Sequence, residues 1–320
     1  MKGQTEVYSI LGKRIWIVGH TGMVGGALVR RLGREDCEIL TCSRRELDLT
    51  NQQAVMSWFR EHRPHAVFLA AGKVGGIHAN NTLPAEFIYD NLMIEANIIN
   101  AAHEFSVEKL LFLGSSCIYP RESVQPISEG ALLTGPLEKT NEWYAIAKIA
   151  GIKLCQAYRK QYGDDFISVM PTNLYGPGDN FHPEYSHVPA ALLHRFHEAE
   201  QIGQAEVVVW GTGSPKREFL HVDDLADACF YLMQHYSGSE QVNIGTGKDV
   251  TIREFSEAIK RVVGYEGKLV FDHTRPDGTP RKVLDVARLT ELGWKARISL
   301  SEGLEQYYTW FLDNQHSIRQ

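Results

Sequence analysis

The sequence predicts an α/β fold in which a doubly wound parallel sheet lies between two layers of helices. Short apolar, β-branched runs alternate with stretches of helical periodicity along the first half of the chain. Several of these runs contain no polar residue, which is typical of strands buried on both faces of a parallel sheet. The first run also ends at a glycine-rich turn that leads directly into a helical stretch.

Strands and helices follow one another in order along this first half. We predict strands at 14–18, 38–41, 66–70, 109–113 and 166–170. We predict helices at 23–32, 52–63, 87–105 and 144–162. Because the two kinds of element alternate, the strands are expected to lie parallel in one sheet.

The pattern changes after Pro171. Residues 173–186 mix prolines and glycines with aromatic residues, which predicts a loop that leaves the sheet. Beyond it we predict a strand at 207–210 and helices at 189–200, 223–234, 251–263 and 300–314. We expect a first domain at 12–172, which also takes back a segment near 219–245, and a smaller C-terminal α/β substrate domain at 173–320.

Composition excludes several classes of function. The net charge of the 320 residues is −6, without a block of like charges, so nucleic-acid or membrane-surface binding is not expected. No apolar run is long enough to span a membrane, and residues 1–12 lack the apolar segment of a secretion leader. The five cysteines are scattered, which predicts a reduced cytoplasmic protein without disulfides or a metal site.

The glycine-rich turn predicts a dinucleotide site. Between the first strand and first helix the residues are Gly19, His20, Thr21, Gly22, Met23, Val24 and Gly25. Glycines let the backbone approach a pyrophosphate, and the helix then directs its first N–H groups and its dipole at that anion. In this place, inside the first strand–helix–strand unit, the pattern indicates a Rossmann-type sheet.

The end of the second strand indicates which dinucleotide binds. NAD sites usually place an acidic residue there, but this chain has Arg44 and Arg45. A guanidinium can make a forked, charge-assisted contact to a 2′-phosphate, which favours NADP(H). Asp48 and Leu49 follow and are expected beside the adenine.

Three residues predict acid–base chemistry at the same sheet edge. Tyr144 and Lys148 are four residues apart on a predicted helix, so their side chains share one face. A neighbouring ammonium, together with an oxidised nicotinamide, is expected to lower the pKa of the phenol from about 10. Ser115, just after the fourth strand, can donate a hydrogen bond to a substrate carbonyl beside Tyr144.

The order of these motifs resembles the extended short-chain dehydrogenase/reductase family over nearly the whole chain. Finer matches point to its members that act on GDP sugars. They are residues 73–77, 114–120, 144–151, 171–177, 180–183, 186–188, 217–224 and 276–282. The resemblance implies conversion of GDP-4-keto-6-deoxy-D-mannose to GDP-L-fucose, by 3,5-epimerisation and NADPH-dependent reduction of the 4-keto group.

The resemblance also implies two residues for the epimerisation. Inverting carbons 3 and 5 beside a ketone needs a base on one face of the sugar and an acid on the other. The resemblance assigns these two roles to Cys117 and His187. A thiolate can act as the base if nearby cations lower the pKa of the thiol. Which of the two residues serves as base or acid at each step stays open.

Further ligand contacts complete the predicted site. Besides the glycine turn, Arg44, Asp48 and Leu49, we expect cofactor contacts at Leu113, Gly114, Ser115, Ser116, Lys148, Pro171, Thr172, Asn173, Leu174 and His187. The resemblance assigns the GDP end of the substrate to Arg195, Trp210, Arg217, Asp277 and Lys282. Some family members carry Arg where Thr21 stands, so the preference for NADPH depends more heavily on Arg44 here.

Two other functions stay open at this point. The first is another NAD(P)-dependent nucleotide-sugar epimerase or reductase of the same family. The second is a sensor that binds NADPH without catalysis, which would have no use for an aligned Ser115, Tyr144 and Lys148. The predicted helices 87–105 and 144–162 both have apolar faces and could pair in a homodimer, although ordinary core packing would produce the same pattern.

Overall fold

A computed structural model of the protein describes residues 7–182, 186–275 and 277–316. Pro183 and Pro276, which belong to two of the matching segments, lie outside the described residues. The strands are β1 Arg14–Val18, β2 Glu38–Leu40, β3 Ala66–Leu69, β4 Lys109–Leu113, β5 Phe166–Pro171, β6 Asn173–Tyr175, β7 Glu206–Trp210, β8 Lys216–His221, β9 Val242–Ile244, β10 Asp249–Thr251, β11 Lys268–Asp272 and β12 Arg281–Lys282.

Helices cover both faces of the main sheet and pack around the second half of the chain. They are α1 Met23–Leu32, α2 Gln52–His62, α3 Ile77–Thr82, α4 Pro84–Glu104, α5 Glu142–Tyr162, α6 Val188–Gln201, α7 Val222–His235, α8 Ile252–Val263, α9 Ala287–Glu291 and α10 Leu300–Asn314. Helices α3 and α9 were not expected from the sequence. The predicted helices and strands that recur here differ from the observed bounds by at most three residues at either end. No helix in the described part of the chain combines the length and the apolar character needed to cross a bilayer.

The predicted parallel sheet is confirmed. Its strand order is β2-β1-β3-β4-β5-β9, and every neighbouring pair is parallel. Successive side chains of a strand point to opposite faces. Ile15 and Ile17 accordingly pack towards α1 and α7, whereas Trp16 and Val18 pack towards α2 and α4. The strand order reverses between β1 and β3, so a crevice is expected there at the carboxyl ends of the strands.

The second half of the chain builds smaller sheets. Strand β8 pairs with β10, β12 and β6, and β7 pairs with β11. A separate apolar cluster fills the space between these sheets and α6, α8 and α10. Strand β9, from late in the chain, lies at the edge of the main sheet beside β5. The division into domains at 12–172 and 173–320 stays a prediction.

One expectation about this half was wrong. The segment 173–186 was predicted to be a loop throughout, but Asn173–Tyr175 forms β6 in parallel register with Phe219, Leu220 and His221 of β8. The Asn173 amide also donates to the Glu218 carbonyl over 2.9 Å. The partner strand lies more than forty residues away, so local composition could not indicate this pairing.

Candidate active site

The glycine turn after β1 brings backbone against backbone. Gly19 has φ +91°, and a Cβ there would lie 2.8 Å from the Ala71 Cα. A Cβ on Gly25 would lie 2.1 Å from the Gly19 carbonyl oxygen, so both positions require glycine. Helix α1 begins here with Gly22 as its N-cap and no side-chain cap. Its first N–H groups are thus directed at the carboxyl edge of the sheet.

A polar atom beside this turn also fits an anionic cofactor. Among the described residues, the buried Nδ1 of His20 has no hydrogen-bond partner. Buried polar atoms are nearly always paired in proteins, so such an atom indicates a missing ligand or water. The turn, the uncapped helix and His20 together fit a pyrophosphate, with Met23 and Val24 in the first turn of the helix.

The segment after β2 carries the charges expected to select the cofactor. Arg44 and Arg45 are both exposed, so a guanidinium is accessible to a phosphate. Hydrogen bonds from Thr50, with a smaller contribution from the Arg44 charge, lower the pKa of Asp48. The carbonyl of Leu49 accepts from the Asn97 amide at 2.9 Å, which ties this segment to α4.

The fourth strand ends in a tight turn that holds two of the predicted residues. Ser115 caps a single 3₁₀ turn at Ser116–Ile118, and its Oγ accepts from the Cys117 backbone N–H at 3.4 Å. Cys117 and Ser116 are buried in this turn. The preceding Gly114 leaves no room for a Cβ, which would lie 2.4 Å from the Met170 sulfur. The hydroxyl of Ser115 and the thiol of Cys117 therefore lie together at the sheet edge.

The end of β5 meets the same edge. Pro171 closes β5, and Leu174 lies in β6. The Thr172 hydroxyl and the Asn173 amide both donate to the Glu218 carbonyl, at 3.3 and 2.9 Å. The predicted cofactor contacts after β1, β4 and β5 thus share one side of the sheet, as does Leu113 at the end of β4.

Helix α5 presents Tyr144 and Lys148 on one face, as predicted. The Lys148 ammonium is buried and lies 2.9 Å from the Glu95 carboxylate of α4. It also lies 4.9 Å from the centre of the Phe112 ring and 5.8 Å from the centre of the Tyr144 ring. The Tyr144 ring packs edge-on against Phe87, at 6.3 Å between ring centres.

The groups that the chain itself supplies raise the pKa of Tyr144, and the lowering expected from Lys148 together with an oxidised nicotinamide stays a prediction. Burial raises the pKa of Tyr144 well above its ordinary value, and the neighbouring Cys117 and Glu95 raise it further. The positive charge of Lys148 is offset by Glu95, which a prediction from one helix did not take into account. At neutral pH Tyr144 is therefore protonated, and it is suited to donate a proton.

Cys117 has cations on two sides. Burial raises the pKa of its thiol, while the charges of Lys282 and Lys148 and a hydrogen bond with Ser115 act against that rise. Burial lowers the pKa of the partly buried Lys282, and Cys117 and Glu138 counteract this. Lys282 belongs to β12, beside Arg217 of β8. The two halves of the chain therefore meet at the thiol.

His187 is the N-cap residue of α6. Desolvation by neighbouring atoms lowers the pKa of its imidazole, although the residue as a whole remains exposed to solvent. Among the described residues no hydrogen bond or ion pair joins it to Cys117. Its place opposite the thiol therefore stays a prediction.

The residues assigned to the GDP end lie in and around the small sheets of the second half. Arg195 donates to the Val208 carbonyl at 2.7 Å, and Arg217 donates to the Thr279 carbonyl at 2.6 Å. Asp277 accepts from the backbone N–H and the hydroxyl of Thr212, at 2.9 and 2.7 Å. These contacts orient the side chains without using all of their donors and acceptors.

Trp210 is 65% exposed at the end of β7, an unusual position for the largest side chain. The Arg275 guanidinium lies 5.0 Å from the centre of its indole ring. Sequence reasoning missed both Arg275 and Glu95. Nothing in the sequence indicated Arg275, whereas Glu95 stands among apolar residues of a helix expected to pack on the sheet.

Known proteins resemble this chain along almost its full length. Residues 15–245 match the model of the NAD dependent epimerase/dehydratase family. GDP-L-fucose synthase 1 of Arabidopsis thaliana is 61% identical over 313 residues, covering 97% of each chain. GDP-L-fucose synthase of Escherichia coli is 57% identical over 317 residues, covering 96% of this chain and 99% of the relative.

A solved structure is also similar to this chain along almost its full length. A GDP-L-fucose synthetase from Naegleria fowleri bound to NADP superposes with a TM-score of 0.91 at 27% identity and covers 99% of both chains. The identities and the coverage agree with the parallel sheet, the glycine turn and the Ser115–Tyr144–Lys148 arrangement. The chain therefore belongs to the NAD dependent epimerase/dehydratase family and, within it, to the group of the GDP-L-fucose synthases.

Proposed function

We infer that this chain converts GDP-4-keto-6-deoxy-D-mannose to GDP-L-fucose by inverting carbons 3 and 5 and then reducing carbon 4 with NADPH. One observation carries the inference. Ser115, Cys117, Tyr144 and Lys148 lie together at the carboxyl edge of the sheet, next to the glycine turn. That cluster contains the groups needed for proton transfer at carbon and at oxygen. The relatives named above carry the corresponding activity in their names.

Epimerisation comes first because the 4-keto group acidifies the hydrogens on carbons 3 and 5. We assign Cys117 as the base on one face of the sugar and His187 as the acid on the other. Lys282 supplies the positive charge that Cys117 needs to lose its proton. Hydrogen bonds from Ser115 and Tyr144 to the 4-oxygen stabilise the enolate between the two proton transfers.

Reduction follows at the same carbonyl. The nicotinamide, when bound, supplies a hydride to carbon 4. Tyr144 donates its proton to the 4-oxygen, and Ser115 keeps its hydrogen bond to that atom. A phenol whose pKa is raised by burial holds its proton over the whole neutral range, which suits reduction of a ketone.

The GDP end of the substrate is proposed to lie across the second half. Trp210 offers an exposed flat face for the guanine. Arg195 and Lys282 suit the diphosphate, Arg217 suits a phosphate or a sugar hydroxyl, and Asp277 can accept from the guanine edge or a ribose hydroxyl. Lys282, beside Cys117, would then connect diphosphate binding to the chemistry.

For the cofactor we propose NADPH, held at its pyrophosphate by the glycine turn and at its 2′-phosphate by Arg44. We assign the buried Nδ1 of His20, which has no partner among the described residues, to the same ligand. Thr21 stands where some family members carry Arg, so we expect NADPH to depend on one principal cation here. We assign the nicotinamide ribose to Lys148.

We further propose a cytoplasmic homodimer. The outer faces of α4 and α5 expose Tyr89, Trp143 and Tyr162, which are 62%, 44% and 54% accessible. Large exposed side chains on two adjacent helices are typical of a surface that associates with another protein. The cysteines are all free, which suits a reducing compartment.

The test supplies GDP-4-keto-6-deoxy-D-mannose and NADPH in deuterated water. We expect deuterium at carbons 3 and 5 of the product, with one NADPH oxidised per sugar. Cys117→Ser should slow the exchange about a hundredfold because it removes the base, while NADPH binding stays unchanged. Cys229→Ser, another buried cysteine in α7, is the matched control.

Two outcomes would contradict the proposal. Unchanged exchange in Cys117→Ser would exclude the thiol as the base. Binding of NADPH without any turnover of the sugar nucleotide would instead favour the sensor, and stereochemical inversion at carbon 4 without net oxidation of NADPH would favour a simple 4-epimerase.

A further inference from the structure

The carboxylate behind Lys148 has no part in the mechanism derived so far. Glu95 is buried in α4, and neither of its oxygens accepts a well-aligned hydrogen bond from the described residues. The Lys148 ammonium, 2.9 Å away, is the charge that pairs with it in the described part of the chain. The side chains of the pair are 2% and 4% exposed, so both charges have left bulk water.

The fold makes room for this carboxylate. A Cβ on Gly151 of α5 would lie 2.7 Å from the Glu95 Oε2 and 2.4 Å from the Phe112 ring. A Cβ on Gly72 would lie 3.6 Å from the Lys148 Nζ. Glycine at 151 therefore lets α4 and α5 approach each other closely with Glu95 between them. The ring of Phe112 closes the pocket from the side of the sheet.

Stability alone does not account for the pair. Removing two charges from water is unfavourable, and well-packed apolar residues of the same size often give an equally stable or a more stable protein. On the same helix, α5, Tyr144 lies one turn before Lys148. Burial raises the pKa of Glu95, and the Lys148 ammonium acts against that rise. The negative charge that Lys148 favours on Glu95 influences the phenol that must give up a proton.

We propose that Glu95 is a positioning residue for the reduction, which fixes the Lys148 ammonium and offsets its charge so that Tyr144 keeps its proton until the 4-oxygen takes it. The inference rests on the proposed function. In the described residues, the ionisable groups found around Tyr144 are Glu95 from α4, Lys148 from α5 and Cys117 from the turn after β4. Cys155 of α5 also lies near Glu95, and the β4 neighbour Phe112 carries no charge.

The direction of the expected effect follows from these charges. Burial, Cys117 and Glu95 all raise the pKa of Tyr144. Glu95→Gln keeps the shape but removes one of these negative neighbours and frees Lys148 to favour the phenolate. The phenol should then lose its proton at a lower pH, and the rate that depends on that proton should fall at a lower pH as well.

The experiment compares the pH profile of NADPH oxidation in the parent chain and in Glu95→Gln. We expect kcat to fall about tenfold and the alkaline limb to move down by about one pH unit. KM for the sugar nucleotide should change little, because Glu95 contacts none of the proposed GDP residues. Asp165→Asn, which breaks the ion pair of another buried lysine, Lys109, should leave the alkaline limb in place.

A second readout does not need the reaction. NMR of labelled tyrosine, with the Tyr144 signal assigned by its loss in Tyr144→Phe, should show the phenol titrating at a lower pH in Glu95→Gln. A folded Glu95→Gln protein with an unmoved titration and an unmoved alkaline limb would overturn the proposal. A parent chain that does not oxidise NADPH with the substrate would refute the proposed function while the titration still tests Glu95.

If the Glu95→Gln protein does not fold, the Glu95→Asp protein tests the positioning role of Glu95 instead. The shorter side chain keeps the charge but cannot hold Lys148 at the same distance. We expect a lower kcat with the alkaline limb unmoved, and an unchanged kcat would overturn the proposal.

Discussion

Two lysines are buried at opposite ends of β4, and they differ in how fully they are paired. Lys109 begins the strand and has a wholly buried side chain, with Asp165 at 2.9 Å and the Tyr236 carbonyl at 2.6 Å. Asp165 in turn accepts from Arg159 and Ser237. Lys148 lies near the other end and has one carboxylate and two aromatic rings around it.

The difference distinguishes Lys109, which stabilises the fold, from Lys148, which takes part in the proposed reaction. At the amino edge of the sheet, Lys109 and Asp165 each have several hydrogen-bond partners, as buried groups normally do. At the carboxyl edge, Glu95 and the Nδ1 of His20 lack hydrogen-bond partners among the described residues. A buried carboxylate without aligned donors beside a catalytic lysine, in contrast to the well-paired Asp165 beside Lys109, indicates where ligands complete the structure.

The largest expected effect tests the carboxyl edge. Tyr144→Phe should reduce the rate of NADPH oxidation by about 10²- to 10⁴-fold, because the 4-oxygen loses its proton donor. The thermal unfolding midpoint should change by only a few degrees. Tyr158→Phe, on the same helix and hydrogen-bonded to Asn100, is the control and should keep full activity. A Tyr144→Phe protein with activity within tenfold of the parent would refute the assignment.

The second prediction tests the amino edge. Asp165→Asn should lower the free energy of unfolding by about 2 kcal/mol, less than for a fully buried pair because Asp165 is 24% exposed. Urea unfolding measures this, and kcat should stay unchanged. If the substitution reduced kcat at equal stability, the two ends of the strand would not be separable as we describe.

The same residue predicts a dependence of stability on pH. Burial alone would raise the pKa of Asp165, but hydrogen bonds from Arg159 and Lys109 outweigh it and lower the pKa. Asp165 therefore stabilises the fold above its unfolded pKa of about 3.9, and the contribution is lost as the pH falls through the lower folded pKa. Asp165→Asn should flatten this acid limb, and an unchanged limb would contradict the assignment.

The smallest expected effect concerns the link between the two halves. Lys282→Met removes a cation that acts against the rise in the pKa of Cys117. Deuterium exchange at carbons 3 and 5 should slow about tenfold at neutral pH and recover at higher pH, where the thiol ionises without help. Lys268→Met on β11, at an exposed position, is the control. Equal slowing at all pH values would mean that Lys282 acts in substrate binding only.

Local patterns were enough to predict the main sheet. Its strands are apolar runs between helices of clear periodicity, so β1, β3, β4 and β5 were each predicted within two residues of their observed ends. The short strands of the second half have two to six residues, and most owe their assignment to a distant partner. Strands β6 and β8 are one such pair, which no local pattern indicates.

In the candidate site, too, local patterns predicted the contacts within one element but not those between distant elements. The spacing of Tyr144 and Lys148 placed both on one face of α5, and the end of β4 placed Ser115 and Cys117 at one edge. The Glu95 carboxylate lies on another helix, so its contact with Lys148 depends on how α4 and α5 pack. The charge balance at Tyr144 depends on that packing, so a prediction from one helix could not include the contribution of Glu95 to its pKa.

Gly151 has a consequence for how this molecule can vary. A glycine in the middle of a helix weakens that helix by about 1 kcal/mol relative to alanine. The turn that anchors the essential lysine is therefore intrinsically the softest part of α5. Alanine at 151 would strengthen the helix but displace the Glu95 carboxylate and the Phe112 ring, so this position can change only if α4 and α5 move apart.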